Sequence, residues 1–183
     1  MRVIGGEFRS RLLKSLPGLD VRPTPDRLRE ALFNVLTPRI HGARFLDIYA
    51  GTGAVGIEAL SRGASHAIFT ESNRAAVNVI RENLRSLGLE ARAQVRPGRA
   101  GSIAAGLQEP IDIAFVDPPY RLEQEYERAI TLLAERSAHL VVAQHATRLT
   151  LNAAYGGLTQ SRVLKQGDNS LSFYELSQAL TDQ

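Results

Sequence analysis

The sequence predicts an α/β fold with a mostly parallel sheet of seven strands that ends in an antiparallel hairpin. Two observations lead to this prediction. From Arg44 onward, short apolar runs alternate with segments of helical periodicity, the pattern of right-handed βαβ units. The last two apolar runs are separated only by Gln166-Gly167-Asp168-Asn169, a composition typical of a hairpin turn.

The predicted elements follow one another in a regular order. The strands are expected at 44–50, 66–70, 91–95, 111–116, 139–144, 158–165 and 170–176. The helices are expected at 55–62, 73–87, 102–107 and 123–135. Ser72 or Asn73 offers N-capping chemistry for the second of these helices. The run 111–116 is continuous enough for a strand that is buried on both faces.

The first 40 residues form a small basic extension ahead of a domain at 41–183. Val3–Leu13 predicts a hairpin, and 27–36 predicts an apolar-striped helix with Thr24 as N-cap and Pro25 at the first helical position. Residues 1–44 hold nine basic and four acidic side chains, although the whole chain has a net charge of only +3. This distribution favours a polyphosphate partner, and a solvated arginine-rich surface is the alternative.

Composition excludes several classes of protein. The chain has 183 residues and no cysteine, so it suits one α/β domain without disulfides or a thiolate metal site, and we expect no bound metal. No stretch approaches the roughly 20 apolar residues of a membrane span. The first residues lead directly into polar sequence without a signal-peptide core. We therefore expect a cytoplasmic protein with no membrane partner.

A glycine turn follows the first predicted strand. Gly51, Gly53 and Gly56 satisfy the spacing G-x-G-x-x-G between a strand and a helix, which predicts a nucleotide-type ligand. Glu71, at the end of the next strand, is placed to accept hydrogen bonds from ribose hydroxyls. Asp47 lies just before the turn and would repel the pyrophosphate of a dinucleotide. It therefore favours the positively charged sulfonium and amino groups of S-adenosylmethionine.

The motif Asp117-Pro118-Pro119-Tyr120 directly follows the fourth predicted strand. The prolines stiffen the strand exit, so the Asp117 carboxylate and the Pro118 carbonyl both point acceptors outward. Two acceptors that hold the exocyclic amine of adenine or guanine favour a geometry with an available lone pair. Tyr120 offers a flat face for an extruded base. A rigid strand exit with a packed tyrosine is the structural alternative, but together with the glycine turn the motif predicts methylation of a base amine.

These motifs resemble those of known enzymes. Asp47–Gly53 resembles motif I of class I methyltransferases, which have a Rossmann-like fold, and Asp117–Tyr120 resembles motif IV of amino-methyltransferases. The segments 2–14, 22–36 (RPTPDRLREALFNVL) and 50–64 (AGTGAVGIEALSRGA) are similar to the RsmD family, 16S ribosomal RNA guanine-N2-methyltransferases. The resemblance covers nearly the whole chain, and 22–36 is its most specific part.

The resemblance implies methyl transfer from S-adenosylmethionine to N2 of a guanosine in 16S rRNA, on an assembling or assembled 30S subunit. It implies the catalytic residues Asp117, Pro118 and Tyr120. The cofactor contacts we expect are Thr24, Asp47, Gly51, Gly53, Glu71, Ser72, Arg99 and Ala100. The basic residues that we expect on RNA are Arg2, Arg9, Arg11, Lys14, Arg22 and Arg27. No long exposed apolar stripe is predicted, so we expect a monomer.

The chain departs from the family pattern in two places. The stretch 96–100 has no carboxylate where motif III commonly has one, so we expect backbone groups near Arg99 and Ala100 to read the adenine. The fifth strand ends in Gln144-His145 where an acidic residue is expected, and we interpret His145 as a solvated strand-end residue.

Three other functions stay open at this point. An N6-adenine methyltransferase acting on DNA or RNA would share Asp117–Tyr120. A catalytically silent RNA-binding module would keep the fold, but the intact motifs argue against it. A NAD-dependent enzyme would share the glycine turn, and Asp47 argues against that.

Overall fold

The computed structural model describes residues 1–16, 24–99, 106–119, 124–136 and 138–176. The strands are β1 (Arg44–Ile48), β2 (His66–Glu71), β3 (Ala93–Pro97), β4 (Ile113–Val116), β5 (Leu140–Ala146), β6 (Ala154–Tyr155), β7 (Leu158–Gln166) and β8 (Asn169–Leu176). The helices are α1 (Asp26–Ile40), α2 (Ala54–Ser61), α3 (Arg74–Ser86) and α4 (Gln124–Glu135), and Glu90–Arg92 forms a 3₁₀ turn.

The described strands form one sheet in the order β3-β2-β1-β4-β5-β8-β7-β6. The first five strands are parallel, and β8, β7 and β6 continue the sheet in antiparallel pairing. This confirms the predicted fold class, a Rossmann-like class I methyltransferase fold. The sheet has eight strands rather than seven because Ala154–Tyr155 adds a two-residue strand, too short for periodicity to reveal.

Both faces of the sheet are covered, as a parallel sheet requires. Residues of α1, α2 and α3 share one buried cluster with Phe45, Phe115 and Val142. Residues of α4 share the other with Leu46 and Val141, the alternate positions on the same strands. None of the helices in the described ranges is long and apolar enough to span a membrane.

The helix caps agree with prediction in one case and not in the other. Asn73 caps α3, since its side-chain oxygen accepts hydrogen bonds from the amides of Ala75 (2.9 Å) and Ala76 (3.1 Å). The predicted N-cap at Thr24 is wrong. Pro25 itself is the N-cap of α1, with extended backbone (φ −55°, ψ 142°) and no side-chain capping bond. The predicted helix 102–107 falls mostly in 100–105, outside the described residues.

Residues 1–14 form the N-terminal arm, a short folded segment on the surface of α2 and α3. Arg2 and Leu12 make an isolated antiparallel bridge, and the Val3 amide donates to the Arg11 carbonyl (2.9 Å). Val3 and Leu13 are buried in the same cluster as α1 and α2. The division of the chain into an extension at 1–40 and a domain at 41–183 stays a prediction.

The end of β5 differs from expectation. His145 is only 4% exposed, so its interpretation as a solvated residue is wrong. The antiparallel strand β8 lies alongside and covers it, and the His145 Nε2 atom is 2.8 Å from Ser172 Oγ. Burial lowers the pKa of His145, so the ring is neutral at physiological pH.

The sheet order places the ends of β1 and β4 side by side. Ile48 of β1 pairs with Val116 of β4, so Tyr49 and Asp117 leave the sheet together at its carboxyl edge. The strand order reverses between these two strands, which is where open α/β sheets bind their ligands.

Candidate active site

The glycine loop, residues 49–53, joins β1 to α2 in a backbone conformation that few side chains adopt. Gly51 (φ 56°) and Gly53 (φ 81°) are left-handed, as is Tyr49 (φ 64°), a non-glycine residue. Glycine adopts this conformation without strain, but for Tyr49 it costs free energy, and such non-glycine residues cluster at functional sites. The loop is therefore held in shape by contacts from outside it.

Two carboxylates hold the glycine loop. Asp47 accepts a hydrogen bond from the Gly56 amide (2.9 Å) in the first turn of α2. Glu71 accepts one from the Gly51 amide (2.9 Å) and another from the Asn73 amide (2.8 Å). Both predicted cofactor residues thus also shape the loop.

A cleft runs along the carboxyl edge of the sheet in two adjoining pockets, and Tyr49 lines both. The first pocket is lined by the sequence-predicted residues Thr24, Asp47, Gly51 and Asp117. The second is lined by the sequence-predicted residues Glu71, Ser72 and Arg99, with Pro119 opposite. The structure therefore brings most of the predicted residues to one cleft. Gly53 contributes its backbone turn, while Ala100 and Tyr120 lie outside the described residues.

The first pocket concentrates negative charge. Asp117 directly follows β4, and the next residue, Pro118, is buried. Burial, assisted by the charge of Asp47, raises the pKa of Asp117 to about 8. Burial also raises the pKa of Asp47 to about 7; the Gly56 hydrogen bond opposes this rise, and the charge of Glu71 adds to it. A positively charged ligand would relieve this repulsion, so the pocket suits the sulfonium and amino groups of S-adenosylmethionine.

The second pocket contains an unused hydrogen-bonding group. Thr70 is completely buried at the end of β2, and its hydroxyl has no hydrogen-bond partner in the described part of the chain. Buried hydroxyls are nearly always paired, so a ligand atom in this pocket is a fitting partner. Sequence reasoning missed Thr70 because a threonine in a strand gives no signal of its own.

Tyr49 connects the glycine loop to α4. Its hydroxyl donates a hydrogen bond to Glu125 Oε2 (2.8 Å), and Glu125 also lines the second pocket. Burial, together with this hydrogen bond, raises the pKa of Tyr49, so the hydroxyl keeps its proton. The contact spans 76 residues of sequence, and the sequence alone offered no indication of it.

The basic residues predicted to bind RNA are exposed where the structure describes them. Arg2, Arg9 and Arg27 line one surface groove beside the N-terminal arm. Arg11 is exposed, and Lys14 Nζ pairs with Glu82 Oε2 at 2.7 Å. Arg22 lies outside the described residues.

Two buried charged residues attach the N-terminal arm to the domain, and sequence reasoning missed both. The fully buried carboxylate of Glu58 accepts hydrogen bonds from the amides of Ile4 and Gly5, each 2.8 Å. Arg29, also fully buried, donates to the Arg2 carbonyl (2.6 Å) and to Asp26 (3.0 Å). Both lie within the segments that resemble the RsmD family, which was the available signal.

Comparisons with known proteins show the family to which the chain belongs. The family model described as "Conserved hypothetical protein 95" matches residues 1–175. The Bacillus subtilis protein named "Putative rRNA methyltransferase YlbH" is 36% identical over 182 residues, covering 96% of this chain and 98% of that protein. "Ribosomal RNA small subunit methyltransferase D" of Escherichia coli is 45% identical over 121 residues, which span 66% of this chain and 61% of that protein.

A solved structure shares the whole fold. "Putative methyltransferase yhhF from Escherichia coli" superposes with a TM-score of 0.85 at 36% identity, covering 96% of this chain and 97% of that one. The family model and the Bacillus subtilis relative both span nearly the full sequence. The chain therefore belongs to the conserved hypothetical protein 95 family, the RsmD family of ribosomal RNA methyltransferases.

Proposed function

We propose that this chain transfers a methyl group from S-adenosylmethionine to the exocyclic N2 amine of a guanosine in 16S rRNA. The observation that carries the proposal is the position of the half-buried Asp117 beside the glycine loop and the buried Asp47, in a pocket that suits a cationic ligand. Membership of a ribosomal RNA methyltransferase family directs the substrate toward RNA.

The residues of the first pocket divide the chemistry between them. When bound, S-adenosylmethionine supplies an electrophilic methyl group on a sulfonium sulfur. Asp47 and the glycine loop would hold the cationic end of the cofactor, and Thr24 lines the same pocket. The Asp117 carboxylate and the Pro118 carbonyl accept hydrogen bonds from the amine, which stabilises the positive charge that develops on its nitrogen. Asp117 or water then takes the proton from the methylated amine.

The N-terminal arm supplies affinity for RNA rather than sequence recognition. Arg2, Arg9 and Arg27 line a groove that also contains Asp26 and Glu30, and their three guanidinium groups leave it with an excess of positive charge suited to phosphate oxygens. Contacts of this kind position an RNA but carry no base code. Selection of one guanosine therefore depends on the shape of the RNA, for which a 30S particle, assembling or assembled, is the proposed partner. A monomer acting in the cytoplasm fits this role.

Transfer of tritiated methyl groups to 30S subunits tests the proposal. The subunits should come from cells that lack the endogenous activity, and the labelled nucleoside should be identified after digestion. We expect N2-methylguanosine at one small-subunit site. Label on adenine N6 would keep the mechanism and exclude the guanine assignment, and an absence of label in any RNA would exclude RNA as substrate.

A single substitution tests the catalytic role of Asp117. Asp117→Ala should lower turnover by orders of magnitude and leave cofactor affinity within a few-fold of wild type, because the Asp47 bond to the Gly56 amide of α2 and the Glu71 bond to the Gly51 amide remain. Near-normal turnover of Asp117→Ala would exclude Asp117 as the group that holds the amine.

A further inference from the structure

Asn83 joins the N-terminal arm to the glycine loop. It lies on the inner face of α3 and is only 1% exposed. Its side-chain oxygen accepts a hydrogen bond from the Lys14 amide (2.7 Å). Its side-chain nitrogen donates to the Lys14 carbonyl and to the Thr52 carbonyl, both at 3.1 Å. One buried side chain therefore touches the backbone of two segments that are distant in sequence.

The chemistry of this position requires an amide. Asn83 uses one acceptor and two donors, a set that aspartate and the aliphatic residues cannot supply. It stands within the buried stripe of α3, next to Leu84 and one turn after Ile80, where packing alone would favour an apolar side chain. A buried amide is costly unless it is fully hydrogen-bonded, so the arm and the loop must both be in place to satisfy it.

The two segments that Asn83 joins belong to different parts of the site. Thr52 stands between the left-handed residues Gly51 and Gly53 and lines the first pocket. Lys14 belongs to the N-terminal arm, whose opposite end is docked on Glu58. A shift of the glycine loop at Thr52 would therefore move the Asn83 side chain and, with it, the backbone of Lys14 in the arm.

We propose that Asn83 is a positioning residue that couples the glycine loop to the N-terminal arm, so that cofactor and RNA strengthen each other's binding. The RNA half of this statement rests on the proposed function. Coupling between two binding sites is reciprocal, so either ligand can be used to observe it.

Hydrogen exchange on the wild-type chain tests the link without RNA. S-adenosylhomocysteine should slow exchange of the Lys14 amide, because a loop fixed by ligand holds Asn83 and, through it, the arm. The Gln160 amide on β7, three strands beyond β4, donates to the Ala153 carbonyl (2.8 Å); it serves as an internal control and should exchange at an unchanged rate. An unchanged rate at Lys14 despite saturating ligand would overturn the proposal.

A binding cycle with matched variants tests the coupling itself. In the wild type, S-adenosylhomocysteine should tighten binding to 30S subunits by about 5-fold or more, the lower range of allosteric coupling. In Asn83→Leu the ratio should approach one. Asn83→Asp keeps the acceptor for the Lys14 amide but can donate to neither the Thr52 nor the Lys14 carbonyl, so it should lose the coupling while Glu58 still holds the start of the arm.

The control for this cycle is Glu82→Gln. It removes the exposed pair between Lys14 and the same helix but leaves the Asn83 bonds in place, and the coupling should persist. Equal coupling in the Asn83 variants and the control would overturn the proposal. Failure of 30S subunits to bind the wild type in any state would contradict the proposed function instead, and the exchange experiment would still decide the link.

Discussion

At the scale of single residues, the site depends on carboxylates that the fold keeps out of water. Asp47 is 2% exposed, and the folded protein raises its pKa and that of Asp117 well above the usual range. In the ligand-free protein both groups are therefore partly protonated near neutral pH. The arrangement favours binding of a cation and costs the ligand-free protein stability.

The raised pKa values of these carboxyl groups predict how the stability of the folded protein depends on pH. A carboxyl whose pKa is raised by folding holds its proton in the folded state while the unfolded chain loses it, so the stability of the folded state falls as pH rises from about 4 to about 8. Asp117→Asn removes this contribution. Its free energy of unfolding should fall less than that of the wild type between about pH 4 and about pH 8, the window between the unfolded and folded pKa values of Asp117. Urea denaturation at several pH values measures both curves.

The pH dependence of the free energy of unfolding must be compared between the variant and the wild type, because other buried groups also titrate. The lowered pKa of the buried ring of His145 acts in the opposite direction, destabilising the folded protein as pH falls below about 6.5, the unperturbed value for histidine. This contribution is shared by both proteins and cancels in the difference. Asp47→Asn should change the curve in the same direction, since an amide oxygen can still accept the Gly56 bond. Parallel curves for all three proteins would contradict the buried-carboxyl account.

At the scale of elements, the attachment of the N-terminal arm depends on α2. Glu58 is fully buried and accepts hydrogen bonds from Ile4, Gly5 and the Arg62 guanidinium (2.7 Å), with Arg29 Nε at 3.9 Å. A buried carboxylate with these donors is a main attachment point of the start of the arm, beside the Arg29 bond to the Arg2 carbonyl.

Removal of this charge should release the arm. Glu58→Gln leaves the exposed Asp26 as the carboxylate partner of the buried Arg29 and turns one acceptor into a donor that faces other donors. We expect a loss of about 3–5 kcal/mol in the free energy of unfolding. Glu82→Gln, which breaks the exposed pair with Lys14, should cost far less stability, because solvent screens such a pair. Chemical denaturation compares the two, and equal losses would show that Glu58 has no special role.

The elements also show what sequence can and cannot predict. The unit from β1 through α3 was predicted closely because its signals are local: an apolar run, a glycine turn and Asn73 as a cap. Thr24 was placed wrongly as a cap because the backbone at Pro25, not side-chain chemistry, decides where α1 begins. The contacts of Glu58 and Asn83 span between 31 and 69 residues, a separation at which no local pattern gives information.

At the scale of the whole molecule, the sheet gathers residues that are far apart in sequence. Thr24, Asp47 and Asp117 reach one pocket because β1 and β4 are neighbours at the point where the strand order reverses. The strand pattern and the resemblance to class I methyltransferases predicted that these residues lie in one pocket. The unpaired Thr70 hydroxyl and the Tyr49–Glu125 bond depend on the detailed path of the chain, so the sequence alone does not predict them.

The uneven distribution of charge over the molecule predicts where RNA is attracted. Removal of Arg9 and Arg27 from the groove beside the N-terminal arm, as the double variant Arg9→Gln/Arg27→Gln, should weaken binding to 30S subunits. It should also make the logarithm of affinity fall less steeply with the logarithm of salt, because fewer counterions are released from RNA. Arg162→Gln/Lys165→Gln removes the same charge from exposed positions on β7, two strands beyond β5, and should leave the slope unchanged. Equal slopes for both double variants would mean that the groove does not contact RNA and that attraction comes from net charge alone.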